Sequence, residues 1–160
     1  MTTAVFTRPS LIRVIAIAGF VAGTLDIADA FIFYGIRGVP PVRILQGIAY
    51  GLMGRVSYTQ GTRSALLGLV LHFIIATTVA AVYILTSKHF RQLTRHPLIF
   101  GAFYGLAVYI VMNYVVLPLS HIGLRPLPPP APLANGIAAL VFCIGIPIAL
   151  IARRYLSQEA

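Results

Sequence analysis

Residues 14–36 read VIAIAGFVAGTLDIADAFIFYGI, an apolar run long enough to cross a bilayer as one helix. Asp26 and Asp29 interrupt this run, and apart from Glu159 they are the only carboxylate side chains in the 160-residue chain. A charged side chain near the bilayer centre costs from about 3 to above 10 kcal/mol, so such residues usually face a bundle interior or a wet cavity. The run therefore predicts a membrane-spanning helix with an acidic face turned toward other helices.

The composition of the chain indicates an integral membrane protein. Hydrophobic residues make up 59% and charged residues 9%, whereas a soluble domain carries roughly 25% charged residues. The net charge of +9 comes from arginines and one lysine that flank apolar runs. This arrangement is typical of topology signals and lipid-headgroup contacts. We expect the lipid bilayer as a partner and no nucleic acid.

Four apolar runs approach the roughly 20 residues that a spanning helix needs. They predict an all-α integral membrane protein, a four-transmembrane-helix bundle in a single membrane domain over residues 1–160. Residues 40–53 are too short to span and carry Arg43 and Gln46, so they predict a short interfacial or re-entrant helix between the first two spans. Residues 125–132, RPLPPPAP, predict a stiff, extended polyproline loop outside the lipid. The predicted spans are 14–36, 65–85, 98–119 and 134–151.

Lysine and arginine residues near the span ends predict the orientation. With both termini in the cytoplasm, seven of the twelve basic side chains lie inside and five outside. The strongest local signals, residues 88–95 and the pair Arg153 and Arg154, both favour the cytoplasm. Arginines near residues 40–53 would then contact lipid headgroups or other anions, or an arginine at 37 or 43 would reach back toward the aspartates. These candidate contacts are Arg37, Arg43 and Arg55.

The N-terminal region also has features of a cleavable signal peptide. Arg8 and Arg13 precede an apolar run, and Ala28-Asp29-Ala30 offers an A-x-A cleavage site. Cleavage after Ala30 would remove both aspartates from the mature protein. Because the apolar pattern resumes at once after Ala30 and completes a full span, we expect an uncleaved helix.

Small residues recur along one face of each predicted span, which indicates the faces on which helices pack in a membrane. In the first span Gly19 and Gly23 share a face with Asp26, and in the second span Gly68 shares a face with His72. The polar residues are therefore expected on the packing faces. Corresponding small residues in the last two spans are Gly101, Gly105, Ala138, Gly145, Ala149 and Ala152, and Pro147 is expected to kink the fourth span.

Successive spans run in opposite directions, so we count residues from the end of each span to find how deep a side chain lies in the bilayer. This count places four polar side chains at one level in the outer half of the bilayer. Two carboxylates one helical turn apart in a low dielectric repel each other, so one should hold a proton that an imidazole could share. This chemistry suits a proton relay or a cation site, and it predicts a proton- or cation-handling small transporter or channel-like protein. The cluster comprises Asp26, Asp29, His72 and Asn113, with Tyr109 or Tyr34 as further hydrogen-bond partners.

Other interpretations of the cluster stay open. It could be only interhelical hydrogen bonding in a structural or accessory membrane subunit. Three candidate ligands without metal-specific spacing are weak evidence for a metal, and one buried histidine does not indicate a haem, so no metal or cofactor is expected. Ser120 and His121 are merely adjacent in a loop, so the sequence favours a protein that is not an enzyme. Because one four-helix subunit hardly encloses an alternating-access pathway, transport is expected to require a homo-oligomer or a larger membrane complex.

Three strings carry a resemblance to a known group of proteins. They are similar to small uncharacterised bacterial inner-membrane proteins of the YagU-like kind, over most of the chain from about residue 19 to residue 120. The resemblance implies a four-helix architecture and a location in the bacterial inner membrane. It implies no reaction, since the group has no assigned chemistry. The strings are RILQGIAYGLMG at 43–54, LGLVLHFIIATTVAAVYILTS at 67–87 and YGLAVYIVMNYVVLPLS at 104–120.

Overall fold

The computed structural model describes residues 10–156, and all regular secondary structure in that range is helical. Four helices are long and apolar enough to cross a membrane, which is the architecture of a multi-pass membrane protein. The prediction of an all-helical chain with four long apolar helices is confirmed. The helices are α1 (Leu11–Gly35), α2 (Pro41–Met53), α3 (Thr62–His89), α4 (Gln92–Arg95), α5 (Pro97–Leu119) and α6 (Pro130–Leu156), and a 3-10 turn (Gly54–Tyr58) follows α2.

The long helices begin before the apolar runs that predict them, because polar and proline residues also suit a first helical turn. Ser10 caps α1, since its side-chain oxygen accepts a hydrogen bond from the Arg13 backbone N–H at 3.3 Å. α6 begins at Pro130, inside residues 125–132, because proline is compatible with the start of a helix. Helix α6 therefore starts four residues before the predicted fourth span at residue 134.

Helices α1 and α3 approach each other at two glycines of α1. A Cβ atom on Gly19 would lie 2.6 Å from the Thr77 Cα atom, and one on Gly23 would lie 2.9 Å from the Phe73 ring. Any larger side chain at these positions would push the two backbones apart. The small-residue face predicted for the first span is therefore a packing face.

Helices α5 and α6 cross through a similar contact. A Cβ atom on Gly145 would collide with the backbone carbonyl oxygen of Gly101, and one on Gly105 would collide with that of Leu140. Small residues let helix backbones come close enough for extensive van der Waals contact, which is a main source of helix association in membranes. The GxxxG pair of the third span faces the fourth span.

The tightly packed core lies at the end of the bundle where α1 begins and α3 and α6 end. Two tyrosine hydroxyls nearby have hydrogen-bond partners, since Tyr83 Oη donates to Leu93 O at 3.0 Å and Tyr104 Oη donates to Val79 O at 2.7 Å. We call this region the closed end. Its core residues are Val14, Ala18, Ala22, Ala80, Tyr83, Ile84, Ile144, Ile148, Ala149 and Ala152.

Helix α2 packs across α3 at the opposite end, which we call the α2 end. Gly68 allows this contact, because a Cβ atom there would collide with the carbonyl oxygen of Leu45. The buried Gln46 side chain donates to Gly61 O at 3.0 Å, and the His121 backbone N–H donates to Gly51 O at 3.0 Å. α2 is thereby tied both to the start of α3 and to the loop after α5.

Two of the long helices contain a wider π-helical segment, Met112–Val116 in α5 and Leu140–Gly145 in α6. Each ends near a proline, Pro118 or Pro147, which has no N–H donor and whose ring clashes with the carbonyl one turn back. The predicted disturbance at Pro147 therefore takes the form of a π segment. The widened bonds run from the Leu117 N–H to Met112 O and from the Ile146 N–H to Val141 O.

Candidate functional site

A cavity of about 660 Å³ lies between α1, α2, α3, α5 and α6 at the α2 end. Its volume falls within the range of roughly 300–1,000 Å³ typical of small-molecule sites. Both π segments contribute to its wall, and π segments occur frequently at functional sites. Most of the wall is aliphatic. The polar side chains that line it belong to Asp26, Tyr34, Arg43, Tyr58, His72, Ser120 and Arg125.

Asp26 and His72 both line this cavity, and they lie at matching depth along their helices. Asp26 is nine residues before the end of α1, and His72 is ten residues after the start of α3. At 1.5 Å of rise per residue, both lie about 14 to 15 Å along their helices from the α2 end. Asp26 is partly buried, and it is close enough to His72 and Asp29 to interact electrostatically with both.

The His72 imidazole bridges α3 and α1. Its Nε2 atom lies 2.8 Å from Gly23 O, and because a carbonyl oxygen can only accept, Nε2 carries the hydrogen. The Phe73 ring stands edge-on to the imidazole, with centroids 5.3 Å apart. In the neutral ring Nδ1 is then the acceptor atom. His72 can therefore take up a proton at Nδ1 while its bond to α1 stays intact.

Asp29 receives its hydrogen bond from a residue that sequence reasoning missed. Asn135 Nδ2 in α6 donates to Asp29 Oδ2 at 2.8 Å. An Asn-Gly pair directly after a proline-rich segment is typical of a turn. The sequence therefore does not suggest that Asn135 is part of the site. The available signal was Pro130, since a proline in the first helical turn places Asn135 within a helix.

Asn113 bonds within its own helix. Its Nδ2 atom donates to Tyr109 O at 2.9 Å, one turn back in α5. The Tyr109 ring packs against α6, because a Cβ atom on Gly136 would lie 3.2 Å from Tyr109 Cε2. The structure thus places Tyr109 beside the Asn135-Gly136 pair, and the amide bonded to Asp29 comes from Asn135 instead of Asn113.

The three arginines singled out near residues 40–53 have different surroundings. Arg43 lines the cavity, and its guanidinium carbon lies 4.2 Å from the centroid of the Tyr58 ring. Arg37 lies against the end of α1, where its Nη1 donates to Phe33 O at 2.6 Å. Arg55 is exposed in the 3-10 turn. Only Arg43 of these three shares the cavity with Asp26.

The arrangement supplies a carboxylate, an imidazole and two cationic side chains to one partly open cavity. A carboxylate and an imidazole in contact with the same cavity can exchange a proton with water or with a bound molecule. Within residues 10–156 no group of three His, Cys, Asp or Glu side chains is arranged to hold a metal ion. A lining with these groups can support proton transfer and charge recognition.

Comparisons with models of protein families, with curated proteins and with solved structures found no match to this chain. These comparisons assign no family and no activity. Function therefore has to follow from the residues and their geometry.

Proposed function

We propose that the protein is a proton- or cation-handling small transporter or channel-like protein, in which Asp26 and His72 form the exchanging pair. The supporting observation is that one cavity contains both side chains and extends to them from the α2 end. Acidic residues within membrane-spanning helices commonly mark proton or ion paths, because their burial is otherwise costly.

In this proposal each polar side chain at or beside the cavity has a distinct role. Asp26 takes up a proton or a cation from the cavity, and His72 exchanges a proton through Nδ1 while Nε2 holds α1. Asp29, oriented by Asn135, adds negative charge close to Asp26 and so stabilises an incoming cation. Tyr34 lines the same cavity and offers a further hydrogen-bonding group.

Access to the exchanging pair differs at the two ends of the bundle. The cavity reaches Asp26 from the α2 end, while tightly packed residues such as Ala18, Ala80 and Ile148 occupy the closed end. A carrier has to expose its site alternately to the two sides of the membrane. We therefore propose that rearrangement of the closed end, within a homo-oligomer or a larger membrane complex, completes the path.

The membrane and the orientation form part of the same proposal. We place the protein in the bacterial inner membrane with both termini in the cytoplasm, and α2 at or within the outer interface. The loop at residues 88–95 and the pair Arg153 and Arg154 lie at the same end as the start of α1, which supports a cytoplasmic closed end. The YagU-like strings support the choice of membrane.

Proton movement into proteoliposomes that contain pyranine tests the proposed function. An imposed pH gradient should drive faster proton entry with the wild type than with empty vesicles. Asp26→Asn should lower the rate at least about tenfold, since an amide does not exchange a proton at neutral pH, whereas Asp26→Glu should retain part of it. His72→Gln should also lower the rate, and the exposed His89→Gln should not. Equal rates for wild type and Asp26→Asn would overturn the proposal.

A structural or accessory role is the second candidate, and two hydrogen bonds favour it. His72 to Gly23 O joins α3 to α1, and Asn135 to Asp29 joins α6 to α1. If these bonds are the only role of these side chains, His72→Leu and Asp29→Leu, which remove the donor and the acceptor, should each lower stability by about 0.6 to 2 kcal/mol. Proton entry would then be the same in all vesicles. Thermal unfolding of the same purified variants supplies that comparison.

A further inference from the structure

We propose that the cavity binds an amphipathic organic anion, with the acidic group between Arg43 and Arg125 and the apolar body directed toward His72. This inference rests on the proposed function, and it names the substrate class that a proton on Asp26 or His72 would accompany. A monovalent anion moving together with one proton carries no net charge across the membrane.

The charge at the α2 end of the cavity favours an anion. Arg43 lies in the first turn of α2 and Arg125 lies in the loop after α5. The bond from the His121 N–H to Gly51 O holds that loop against α2. Within residues 10–156 the only carboxylates are Asp26 and Asp29. Asp26 lies about 14 Å along α1 from the end of that helix, and Asp29 is bonded to Asn135. Arg43 and Arg125 line the same cavity with exposed side chains, so two cationic groups are available to a negative group that enters it.

Arg43 is held in position before any ligand arrives. Its guanidinium stacks over the Tyr58 ring, and its Nη1 lies 3.5 Å from Gln46 Oε1. Gln46 is itself 4% exposed and anchored to Gly61 O. A guanidinium offers parallel donors to a carboxylate or a phosphate, and a side chain that is already ordered loses less entropy on binding. Arg43 thus lines the cavity with an ordered guanidinium, as expected of a residue that binds the acidic group of the anion.

The aliphatic wall explains why the anion should carry an apolar body. Most of the remaining wall is formed by aliphatic side chains from α2, α3, α5 and α6, and some of these lie further from the α2 end than Asp26 and His72. A small inorganic anion would leave this surface uncovered, whereas burial of apolar ligand surface contributes roughly 25 cal/mol per Å². The side chains that form this wall include Ile44, Leu71, Ile75, Val108, Met112 and Ile144.

Two sources could supply such a ligand, a soluble amphipathic acid or an anionic membrane lipid. They share an acidic headgroup attached to an apolar chain. Dodecanoate is a suitable probe of the shared chemistry. Dodecyltrimethylammonium and dodecanol have the same chain with a cationic and a neutral head, so they separate charge recognition from apolar burial.

The experiment measures the shift in thermal unfolding temperature of the protein in phosphatidylcholine nanodiscs as each probe is titrated. Dodecanoate should stabilise the wild type more than either control probe. Arg43→Gln and Arg125→Gln should each weaken dodecanoate binding about tenfold, because each removes a charge-assisted hydrogen-bonding group. Arg63→Gln is the matched control, since Arg63 is exposed at the same end and does not line the cavity. Equal dodecanoate binding by wild type and both cavity variants would overturn the inference, as would equal binding of the cationic probe.

Nanodiscs that contain phosphatidylglycerol distinguish the two sources. If the natural ligand is a lipid, phosphatidylglycerol should compete with dodecanoate and should co-purify with the wild type but not with Arg43→Gln. If the ligand is a soluble acid, dodecanoate should bind equally in both kinds of nanodisc.

Failure of the proposed function and failure of this inference can be told apart. Arg-dependent dodecanoate binding without proton entry would overturn the proposed function alone, and proton entry without Arg-dependent binding would overturn this inference alone.

Discussion

The closed end and the α2 end of the same four-helix bundle differ in how completely side chains fill the space between the long helices. At the closed end alanines such as Ala18, Ala80 and Ala149 are fully buried, and the helices touch. At the α2 end the helix α2 and two π segments surround about 660 Å³ of open space. At the closed end, alanines together with larger side chains such as Tyr83 and Ile148 fill the space between the helices, whereas the side chains at the α2 end leave a cavity between them.

Gly23 lies at the boundary between these two regions and serves both. Its missing side chain lets Phe73 and Ala76 of α3 approach α1, and its carbonyl oxygen accepts the hydrogen bond from His72. The position of the imidazole in the cavity thus depends on the tight helix contact directly below it. The helix contact at Gly23 therefore fixes where the His72 imidazole lies in the cavity.

The largest effect should come from adding a methyl group at a helix crossing. In Gly145→Ala the new Cβ atom would collide with the backbone oxygen of Gly101, so α5 and α6 must separate. We expect a loss of at least about 3 kcal/mol of stability, at the upper end for overpacking, because backbone cannot move aside as a side chain can. Chemical unfolding followed by circular dichroism measures this.

Gly35→Ala is the control for that substitution, because nothing lies within 4 Å of a Cβ atom there. Its effect should be within about 1 kcal/mol of the wild type, the size of a helix-propensity difference. Similar stability of Gly145→Ala and Gly35→Ala would remove the contrast between a tight helix crossing and a position that borders open space.

An intermediate effect is expected at the hydrogen bond between α6 and α1. Asn135→Leu leaves the Asp29 carboxyl without its donor, at an expected cost of about 1 to 2 kcal/mol. Asn113→Leu removes only a bond within α5 and should cost less than about 0.6 kcal/mol. Thermal unfolding of both variants compares them directly. If Asn113→Leu lowered stability more than Asn135→Leu, Asn113 and not Asn135 would be the more important polar partner.

The smallest effects are expected from removing one methyl group in each region, and the two losses of stability can be compared. Ile148→Val at the closed end removes a methyl group from a fully buried side chain and should cost about 0.5 to 1.5 kcal/mol. Ile75→Val in the cavity wall should cost less, because its side chain already borders open space. Parallel unfolding measurements would sharpen the comparison. Equal losses would show that the cavity wall is packed as tightly as the core.

Much of this architecture could be predicted because its signals are local. A helix that crosses a membrane needs roughly 20 apolar residues, and such runs can be read directly. The depth of Asp26 and His72 follows from the rise per residue along antiparallel helices, which depends only on where each helix ends. Asn135 could not be found in this way, since a turn-forming pair and a helical pair look alike until the start of α6 is known.

The apolar runs and the glycine spacing are enough to give the helical class, the number of long apolar helices, the glycine faces on which they pack and the depth of the polar residues along each helix. That Asn135 meets Asp29, and that Arg43 and Arg125 share a cavity with Asp26, is known only from the packed helices. Length and rise are properties of one helix. Partners instead depend on the rotation of each helix about its axis and on where α2 and the loops pack, which are set by contacts distant in the chain.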